Sequence, residues 1–442
     1  MTILEAGSAL RSRRISCVEL VNQCLSNIAR LNPTLNAFLT VCEDAARARA
    51  AVLDAELAAG TDRGSLHGIP IAHKDLVWTK GIRTTSGSKL FADYVPDRDA
   101  PVAEKLTAAG AVMLGKTGLH ELAYGVTSDN PHFGTIRNPH DHERTPGGSS
   151  GGSGVAVATC MALMATGTDT GGSIRIPASF CGVVGLKPTY GLVDRSGIQP
   201  LGFSLDHVGP LAPTVADARV TLAVLAGDIP RRPAPAALSE IRIGLPENFY
   251  FTQVNSEVKE VVHQAARLAE ELGARVIPVR VPDMEALNAA GRVILLAEAS
   301  ALYEPYLDRR DDFGVDVLAL LDQGRLIPAT DYVNAQRLRK MLLQEFRALF
   351  GSIDCLFTPT TPIVAPRIGQ RQVELDGEMQ DTRIAISRLT RGMNVLGFPA
   401  LSMPCGRSHE GMPIGLQMIA RPFEENLLFL LSEALEGARN SG

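Results

Sequence analysis

A segment rich in glycine and serine, residues 146–191, carries the residue types best suited to chemistry. It opens with Pro146-Gly-Gly-Ser-Ser-Gly-Gly-Ser-Gly154 and reaches a second small-residue run, Gly167-Thr-Asp-Thr-Gly-Gly-Ser173. A flexible linker is the competing interpretation, but the first run leads directly into an apolar stretch, residues 155–165, which we predict to be a helix. A glycine-rich turn before a helix presents backbone N–H groups to an anion, with phosphate and a developing oxyanion as the two candidates.

The second small-residue run has a composition that suits acyl transfer. Its consecutive N–H groups can converge on one oxygen, which is the geometry that an oxyanion hole requires. The residues that would supply these groups are Thr170, Gly171, Gly172 and Ser173. Asp169 and Arg175 flank the run, and we expect them to form an ion pair that braces the loop.

A lysine can activate a serine without any histidine, provided that burial lowers the lysine pKa enough to make the side chain neutral. Lys74 is the candidate, because it ends the strand-like apolar run Gly68-Ile-Pro-Ile-Ala-His-Lys74. A structural ion pair with Asp75 is the competing interpretation. His73 directly precedes Lys74, and His207 follows the second small-residue run. We expect both histidines to have structural roles.

Two motif matches point to other enzyme classes, but the residues in or before each match do not fit the structure that the motif requires. Gly110-Ala-Val-Met-Leu-Gly115-Lys116-Thr117 matches a phosphate-binding P-loop, but its middle residues look like a buried strand rather than a polar cradle. Gly148-Ser-Ser-Gly-Gly152 matches a nucleophile elbow, which needs a strand before it. The preceding segment, residues 137–144, is polar and contains Pro139. We therefore expect neither a nucleotide site nor an α/β-hydrolase.

The elements that must position these residues alternate between strands and helices. Short apolar runs bounded by Gly and Pro predict strands at residues 69–72, 111–114, 183–186, 241–245, 275–281, 355–358, 401–403 and 415–420. Helical patterns occupy residues 44–57 and 101–109, and Ser16 is a candidate helix cap. Such alternation predicts an α/β sheet covered on both faces. A proline-rich connection follows at residues 228–237.

Composition excludes several classes of function. The chain has 442 residues, a formal net charge of −5 and few aromatic residues (5%), which argues against a nucleic-acid protein held by a basic surface. No run of apolar residues is long enough to span a membrane, and no secretory signal is visible. The seven cysteines are scattered without a Cys-x-x-Cys pair, which favours reduced thiols in the cytoplasm over disulfides or a zinc site.

Three motifs occur in one order and at one family's spacing. They are Gly68-Ile-Pro-Ile-Ala-His-Lys74-Asp75, Gly147-Gly-Ser149-Ser-Gly-Gly152 and Gly167-Thr-Asp-Thr-Gly-Gly-Ser173. The match continues through Gly185-Leu-Lys-Pro-Thr189 and Leu205-Asp-His-Val-Gly-Pro210, and thins out toward Pro413-Ile-Gly-Leu-Gln417. By these motifs the chain resembles the amidase signature family of serine hydrolases.

The resemblance implies a role for each residue of the set. Ser173 would be the nucleophile, Ser149 the proton relay after a cis peptide bond that follows Gly148, and neutral Lys74 the base. The N–H groups of residues 170–173 would stabilise the oxyanion. The chemistry implied needs no metal and no cofactor. In the family, the stretch that matches His120-Glu-Leu-Ala-Tyr124-Gly-Val126 lies near the substrate, so Tyr124 and Val126 are pocket candidates, with core packing as the competing interpretation.

The fold implied is the amidase signature fold, an α/β architecture with a large mixed twisted sheet of about eleven strands and helices on both faces. We expect one amidase domain over residues 1–442. Its parts would be an N-terminal helical segment (1–60), a signature core (61–230) and a helical excursion (283–350) that shapes the substrate pocket.

A stand-alone amidase acting on a small-molecule amide is the favoured interpretation, and the glutaminase component of a tRNA-dependent amidotransferase, its A subunit, is the alternative. Ahead of Asn394 the chain reads Arg388-Leu-Thr-Arg391-Gly-Met393, where those subunits tend to carry an acidic residue for glutamine. We expect a small amide as the partner molecule, with no nucleic acid and no membrane. A homodimer stays open.

Overall fold

The computed structural model describes residues 1–227 and 232–441, and it places a strand at every apolar run that predicted one. The strands are β1 (Phe38–Val41), β2 (Pro70–Lys74), β3 (Val112–Thr117), β4 (Met164–Asp169), β5 (Val184–Lys187), β6 (His207–Ala212), β7 (Arg242–Pro246), β8 (Arg275–Val279), β9 (Cys355–Pro359), β10 (Gln372–Leu375), β11 (Glu378–Asp381), β12 (Ala400–Arg407) and β13 (Pro413–Ala420).

A single mixed sheet gathers eleven of the strands in the described part of the chain, and β10 with β11 forms a separate hairpin. The strand order in the eleven-stranded sheet is β1-β3-β2-β4-β6-β5-β12-β13-β9-β7-β8. Neighbours are parallel in β3-β2-β4 and in β9-β7-β8, and antiparallel elsewhere. The predicted mixed α/β fold is therefore confirmed.

Helices cover the sheet. They are α1 (Ile3–Arg11), α2 (Cys17–Leu35), α3 (Glu43–Ala58), α4 (Pro101–Ala108), α5 (Gly151–Ala158), α6 (Arg175–Cys181), α7 (Val215–Ala226), α8 (Ser256–Glu271), α9 (Met284–Tyr303), α10 (Val315–Arg325), α11 (Ala329–Leu349), α12 (Thr382–Ser387), α13 (Arg391–Leu396) and α14 (Glu425–Ser441). Every residue of β2, β4 and β13 is buried. Because successive side chains point to opposite faces of a strand, these strands are covered on both faces.

Local signals in the sequence account for several of these elements. Ser16 caps α2, as predicted, and its hydroxyl accepts a hydrogen bond from the Glu19 N–H at 3.1 Å. Residues 283–350 form the predicted helical excursion, α9 to α11. Of the predicted proline-rich connection, residues 228–231 lie outside the described residues. Among the described helices, none is long and apolar enough to cross a bilayer.

The prediction of one helix over residues 155–165 was wrong. The helix α5 begins earlier, at Gly151, and ends at Ala158, and the apolar residues that follow lead into strand β4. A short apolar run fits a buried strand and a buried helix equally well. This difference matters because β4 leads directly into the run that ends at Ser173.

Both motif matches fail in the structure for the reason expected. Lys116 of the P-loop match lies in strand β3, where it is buried and its Nζ donates to Thr84 Oγ1 at 3.0 Å and to the Val77 carbonyl oxygen. The segment before the nucleophile-elbow match, residues 137–143, contains no strand.

Candidate active site

Lys74 lies at the end of β2, beside β4, and its side chain is completely buried (0% exposed). Its Nζ donates hydrogen bonds to three hydroxyl oxygens, those of Ser149 at 2.7 Å, Ser150 at 2.9 Å and Thr168 at 2.7 Å. The cage is uncharged, because within the described residues no carboxylate forms an ion pair with this lysine. The alternative of an ion pair with Asp75 is therefore not what the structure shows.

The surroundings of Lys74 favour its neutral form. Burial lowers the pKa of Lys74 to about 7, although the negative charges of Asp169 and Asp206 act in the opposite direction. A lysine with such a pKa is partly neutral near neutral pH. In the neutral form Nζ keeps two N–H groups and a lone pair, so one of the three neighbouring hydroxyls donates to the lysine, and the proton of that hydroxyl can pass to it.

Ser149 is held between Lys74 and a tightly bonded turn. The peptide bond between Gly148 and Ser149 is cis, as the resemblance implies. The Ser149 carbonyl oxygen accepts a hydrogen bond from the His120 N–H at 3.1 Å. Ser128 Oγ donates to the Gly147 carbonyl oxygen at 2.8 Å, which fixes the turn on its other side. Hydrogen bonds to the carbonyl oxygens of Gly147 and Ser149 thus fix the backbone that presents Ser149 Oγ to the lysine.

Ser173 follows β4 through a short small-residue turn and lies on the wall of a cavity of about 250 Å³. Its side chain is 5% exposed. The Ser173 carbonyl oxygen accepts a hydrogen bond from the Ser150 N–H at 3.2 Å, which ties the two small-residue runs together. Among the described residues, no direct hydrogen bond joins the hydroxyls of Ser149 and Ser173.

The backbone before Ser173 differs in one respect from the expectation. The N–H groups of Thr170, Gly171 and Ser173 donate to no acceptor within the described part of the protein. The N–H of Gly172, in contrast, donates to Asp169 Oδ1 at 2.8 Å. Gly172 was expected in the oxyanion hole, but its N–H is already engaged, because the loop curls back over the Asp169 carboxylate.

Asp169 and Arg175 brace this loop. The guanidinium binds the carboxylate through two hydrogen bonds, Nε to Oδ2 at 3.0 Å and Nη2 to Oδ1 at 2.9 Å, and both side chains are completely buried. The remaining donors of Arg175 are satisfied by the Thr390 carbonyl oxygen, Gln417 Oε1 and Asn394 Oδ1. Burial alone would raise the pKa of Asp169, but the charge and hydrogen bonds of Arg175 hold it well below its usual value.

The cavity brings the predicted pocket residues beside Ser173. Tyr124 and Val126 both line it, together with Gly171 and Ser173. Tyr124 is 7% exposed, and its hydroxyl has no hydrogen-bond partner among the described residues. Val126 also packs against the buried cluster that contains Ile176. Pocket lining and core packing are therefore both part of its environment.

Two histidines near the site, His73 and His207, are buried, and burial favours the neutral form of each ring. His73 Nδ1 lies 3.2 Å from Thr166 Oγ1, and burial lowers the pKa of His73 to about 3. His207 Nδ1 lies 2.7 Å from the Leu205 carbonyl oxygen, and burial lowers the pKa of His207 well below its usual value. Neither ring contacts the hydroxyl of Ser149 or Ser173. Within residues 1–227 and 232–441, no cluster of three or more His, Cys, Asp or Glu side chains is placed to hold a metal ion.

Sequence reasoning missed two groups that contact Lys74, the hydroxyls of Ser150 and Thr168. Lys74 Nζ donates to Ser150 Oγ at 2.9 Å and to Thr168 Oγ1 at 2.7 Å, and neither residue was assigned to the site from the sequence. Strand alternation could have found Thr168. Residues 166 and 168 share one face of β4, and Thr166 Oγ1 already accepts a hydrogen bond from the Lys74 N–H at 3.3 Å.

A buried lysine, a hydroxyl relay and a serine preceded by free N–H groups are the parts of an acyl-transfer hydrolase. The family profile Amidase matches residues 19–429, and the chain belongs to the amidase family. It is an amide-hydrolysing enzyme of the amidase signature type.

Individual relatives match over nearly the whole chain. The A subunit of glutamyl-tRNA(Gln) amidotransferase from Thermosynechococcus vestitus is 39% identical over 98% of this chain and 97% of its own length. A solved structure, an inhibitor-bound complex in work on the origins of an s-triazine catabolic enzyme, is 35% identical with a TM-score of 0.94, and covers 99% of both chains.

Two further solved structures bear on the kind of amidase. One described as an amidase is 36% identical, with a TM-score of 0.93 over 99% of this chain and 100% of the other. The A subunit of glutamyl-tRNA(Gln) amidotransferase from Thermotoga maritima is 32% identical, with a TM-score of 0.79 over 99% of this chain and 94% of the other.

Proposed function

We propose that this protein hydrolyses a small-molecule carboxylic amide through a covalent acyl-serine intermediate on Ser173. Ser149 relays the proton and neutral Lys74 is the base. One observation carries the proposal: Lys74 Nζ lies 2.7 Å from Ser149 Oγ in a fully buried cage without an acidic partner among the described residues. Burial lowers the pKa of Lys74 to about 7, so this short contact joins the relay hydroxyl to a lysine that is able to take its proton.

The proposed reaction has two halves. Ser173 Oγ attacks the amide carbonyl carbon, and its proton passes through Ser149 to Lys74. The N–H groups of Thr170, Gly171 and Ser173 bind the oxyanion, and each important donor contributes about 3–4 kcal/mol in comparable sites. The C–N bond then breaks as the same proton returns through Ser149 to the leaving nitrogen. Water attacks the acyl-serine along the reverse path and releases the acid.

The relay needs Ser149 and Ser173 to approach each other when the substrate binds. Catalytic hydrogen bonds are often long in free enzymes and tighten only in the complex with substrate. The bond from the Ser150 N–H to the Ser173 carbonyl oxygen, 3.2 Å, already keeps the two backbones adjacent. Only side-chain rotation and a small loop adjustment are then required.

A second candidate function is that of the glutaminase component in a tRNA-dependent amidotransferase. The names of the curated relatives support this candidate more than the first. The structural comparison favours the first, because the TM-score is 0.93 for the structure described as an amidase and 0.79 for the amidotransferase structure. The serine chemistry would be the same in both cases.

The experiment that separates the two candidates uses the purified chain and a panel of primary amides, anilides, carbamoyl compounds and glutamine. Release of ammonia or amine is measured for wild type and for Ser173→Ala. Hydrolysis of a small amide in preference to glutamine, abolished in Ser173→Ala, is the expected result. Preference for glutamine, with ammonia transfer when amidotransferase partner subunits are co-expressed, would establish the second candidate.

We also propose that residues 1–442 fold as one amidase domain. The support is the sheet, which collects strands from β1 near the N-terminus to β13 near the C-terminus. A single cooperative unfolding transition, seen alike by fluorescence and by circular dichroism, is expected. Two separable transitions would contradict this proposal.

A further inference from the structure

The cavity beside Ser173 contains an arginine that the proposed reaction does not use. Arg391 begins helix α13, and its Nε lies 3.9 Å from the position that a Cβ atom on Gly171 would take. This Nε is buried and has no hydrogen-bond partner among the described residues. The Nη2 group donates to Ser387 Oγ at 2.7 Å, which holds the guanidinium beside the small-residue turn.

A second arginine faces the same cavity. Arg292 lies on α9, which packs against α13, and its Nη2 donates to Gln323 Oε1 at 3.4 Å. Burial lowers the pKa of Arg391 to about 10, and the positive charge of Arg292 acts in the same direction, so the Arg391 guanidinium keeps its charge at neutral pH. Two like charges in one partly buried cavity destabilise each other unless an anion joins them.

The protein itself does not neutralise this pair. Within the described residues, neither Arg292 nor Arg391 forms an ion pair. Asp381 is the acidic residue among the described ones that line the cavity, and it lies 3.9 Å from Arg383, a third arginine of the wall. Arg383 is also 3.7 Å from Asp316. The charge of Arg383 is thus balanced, and that of the other two is not.

The cavity also contains an uncharged hydrogen-bond donor, the hydroxyl of Tyr124. The Tyr124 hydroxyl lines the cavity beside Ser173 and has no partner among the described residues, although the ring is almost entirely buried. Burial raises the pKa of Tyr124 above its usual value, so the phenol keeps its proton and can donate. Buried polar atoms of this kind are normally paired.

We propose that the substrate is a small amide that also carries a carboxylate, bound by Arg391 with help from Arg292 and the Tyr124 hydroxyl. This rests on the proposed amidase function and deepens it. Guanidiniums bind carboxylates through paired, charge-assisted hydrogen bonds. The cavity of about 250 Å³ suits a short molecule such as the monoamide of a small dicarboxylic acid.

Asp381 is the acidic residue among the described ones that line the cavity, and its carboxylate lies beside Arg383, so we expect a substrate ammonium to be bound less well than the carboxylate. Glutamine has both a carboxylate and an ammonium, so it tests this distinction. The monoamide of glutaric acid has the same chain length and the carboxylate but lacks the ammonium, and pentanamide lacks both charges.

The test compares kcat/KM for these three amides in wild type, Arg391→Met, Arg391→Lys and Tyr124→Phe. The control Arg337→Met removes the same charge from an exposed arginine on α11, whose Nη1 donates to Asn334 Oδ1 at 3.4 Å. Wild type should prefer the monoamide of glutaric acid to both others. Arg391→Met should lower kcat/KM for this monoamide roughly 10- to 100-fold more than it lowers kcat/KM for pentanamide. Arg391→Lys should recover part of the loss, and Tyr124→Phe should lose roughly three- to tenfold.

Equal use of pentanamide and the monoamide by wild type would overturn the carboxylate proposal and leave the amidase intact. The same holds for an equal loss on both substrates in Arg391→Met. If Arg391→Met does not fold, protection of wild-type Ser173 from a fluorophosphonate by glutarate, and not by pentanol, decides the point. Failure of wild type to hydrolyse any amide would instead overturn the proposed function.

Discussion

Lys74 Nζ and Ser149 Oγ lie 2.7 Å apart, and both side chains are fully buried. Ser149 Oγ has no other hydrogen-bond partner among the described residues, whereas the lysine also contacts Ser150 and Thr168. Thr168 Oγ1 likewise has no other partner among the described residues, so either hydroxyl can exchange a proton with the lysine without breaking another bond, and the family resemblance assigns this step to Ser149. Its neighbour Ser150 already donates to the Thr168 carbonyl oxygen at 3.2 Å.

Ser149→Ala should lower kcat roughly 100- to 10,000-fold, because it removes the proton relay. Ser153→Ala is the matched control. Ser153 is a buried serine of the same run, but its Oγ donates to the Thr166 carbonyl oxygen at 2.9 Å and makes no contact with Lys74. This control should cost about 1 kcal/mol of stability and leave kcat nearly unchanged. Steady-state kinetics that show the same kcat in Ser149→Ala and wild type would refute the relay.

The pH dependence of kcat/KM should report Lys74. The neutral form is active and its pKa is lowered to about 7, so activity should rise with pH through a midpoint near 7. Below that midpoint it should fall about tenfold per pH unit. A profile that stays flat from about pH 5.5 to 8.5 would contradict a lysine base of this pKa.

The variant Thr168→Val tests whether Lys74 is the group that titrates in this pH profile. The Thr168 hydroxyl accepts a hydrogen bond from the lysine at 2.7 Å and so stabilises its charged form. Its removal should lower the pKa of Lys74 further and move the midpoint to lower pH. A shift to higher pH in Thr168→Val would show that the titrating group is not this lysine.

Arg175→Met should lower the free energy of unfolding by about 3–5 kcal/mol, because it leaves the buried Asp169 carboxylate uncompensated. Arg175 holds the pKa of Asp169 below its usual value, so the pair stabilises the protein above about pH 4 and progressively less below it. Denaturant unfolding at several pH values checks both statements. A difference between wild type and variant that grows as the pH falls from about 5 would contradict the assignment.

Gly172→Ala should disrupt the turn that carries the oxyanion donors. Gly172 has φ +130°, and a Cβ atom there would lie 2.2 Å from Thr390 Oγ1 and 2.7 Å from Ile176 Cδ1. The turn must then move, and kcat should fall roughly 100-fold or more. Gly171→Ala is the control for folding, because the nearest atom to its Cβ would be Arg391 Nε at 3.9 Å. Equal melting temperatures and equal kcat in Gly172→Ala and wild type would contradict this interpretation.

The family resemblance that the signature motifs carry implied the mixed sheet of about eleven strands and the roles of Lys74, Ser149 and Ser173. The alternation of strands and helices independently predicted an α/β sheet, but not its strand count. The periodicity of the chain alone did not distinguish strand β4 from a helix, since its apolar run is too short to show a period.

The arginines of the cavity could not be predicted in the same way. Arg292 and Arg391 are far apart in the chain and meet only when helices α9 and α13 pack beside the turn before Ser173. The hydrogen bond from the Gly172 N–H to Asp169 could not be predicted either, because it depends on the path of the loop and not on residue type.

The most direct test of the account is to locate the nucleophile by covalent labelling. Wild type is treated with a fluorophosphonate, and the modified residue is identified by intact mass and peptide mapping, with Ser173→Ala and Ser153→Ala in parallel. One adduct on Ser173, absent from the inactive Ser173→Ala and present in Ser153→Ala, is the predicted result. An adduct on another serine, or amide hydrolysis that persists in Ser173→Ala, would contradict the central claim.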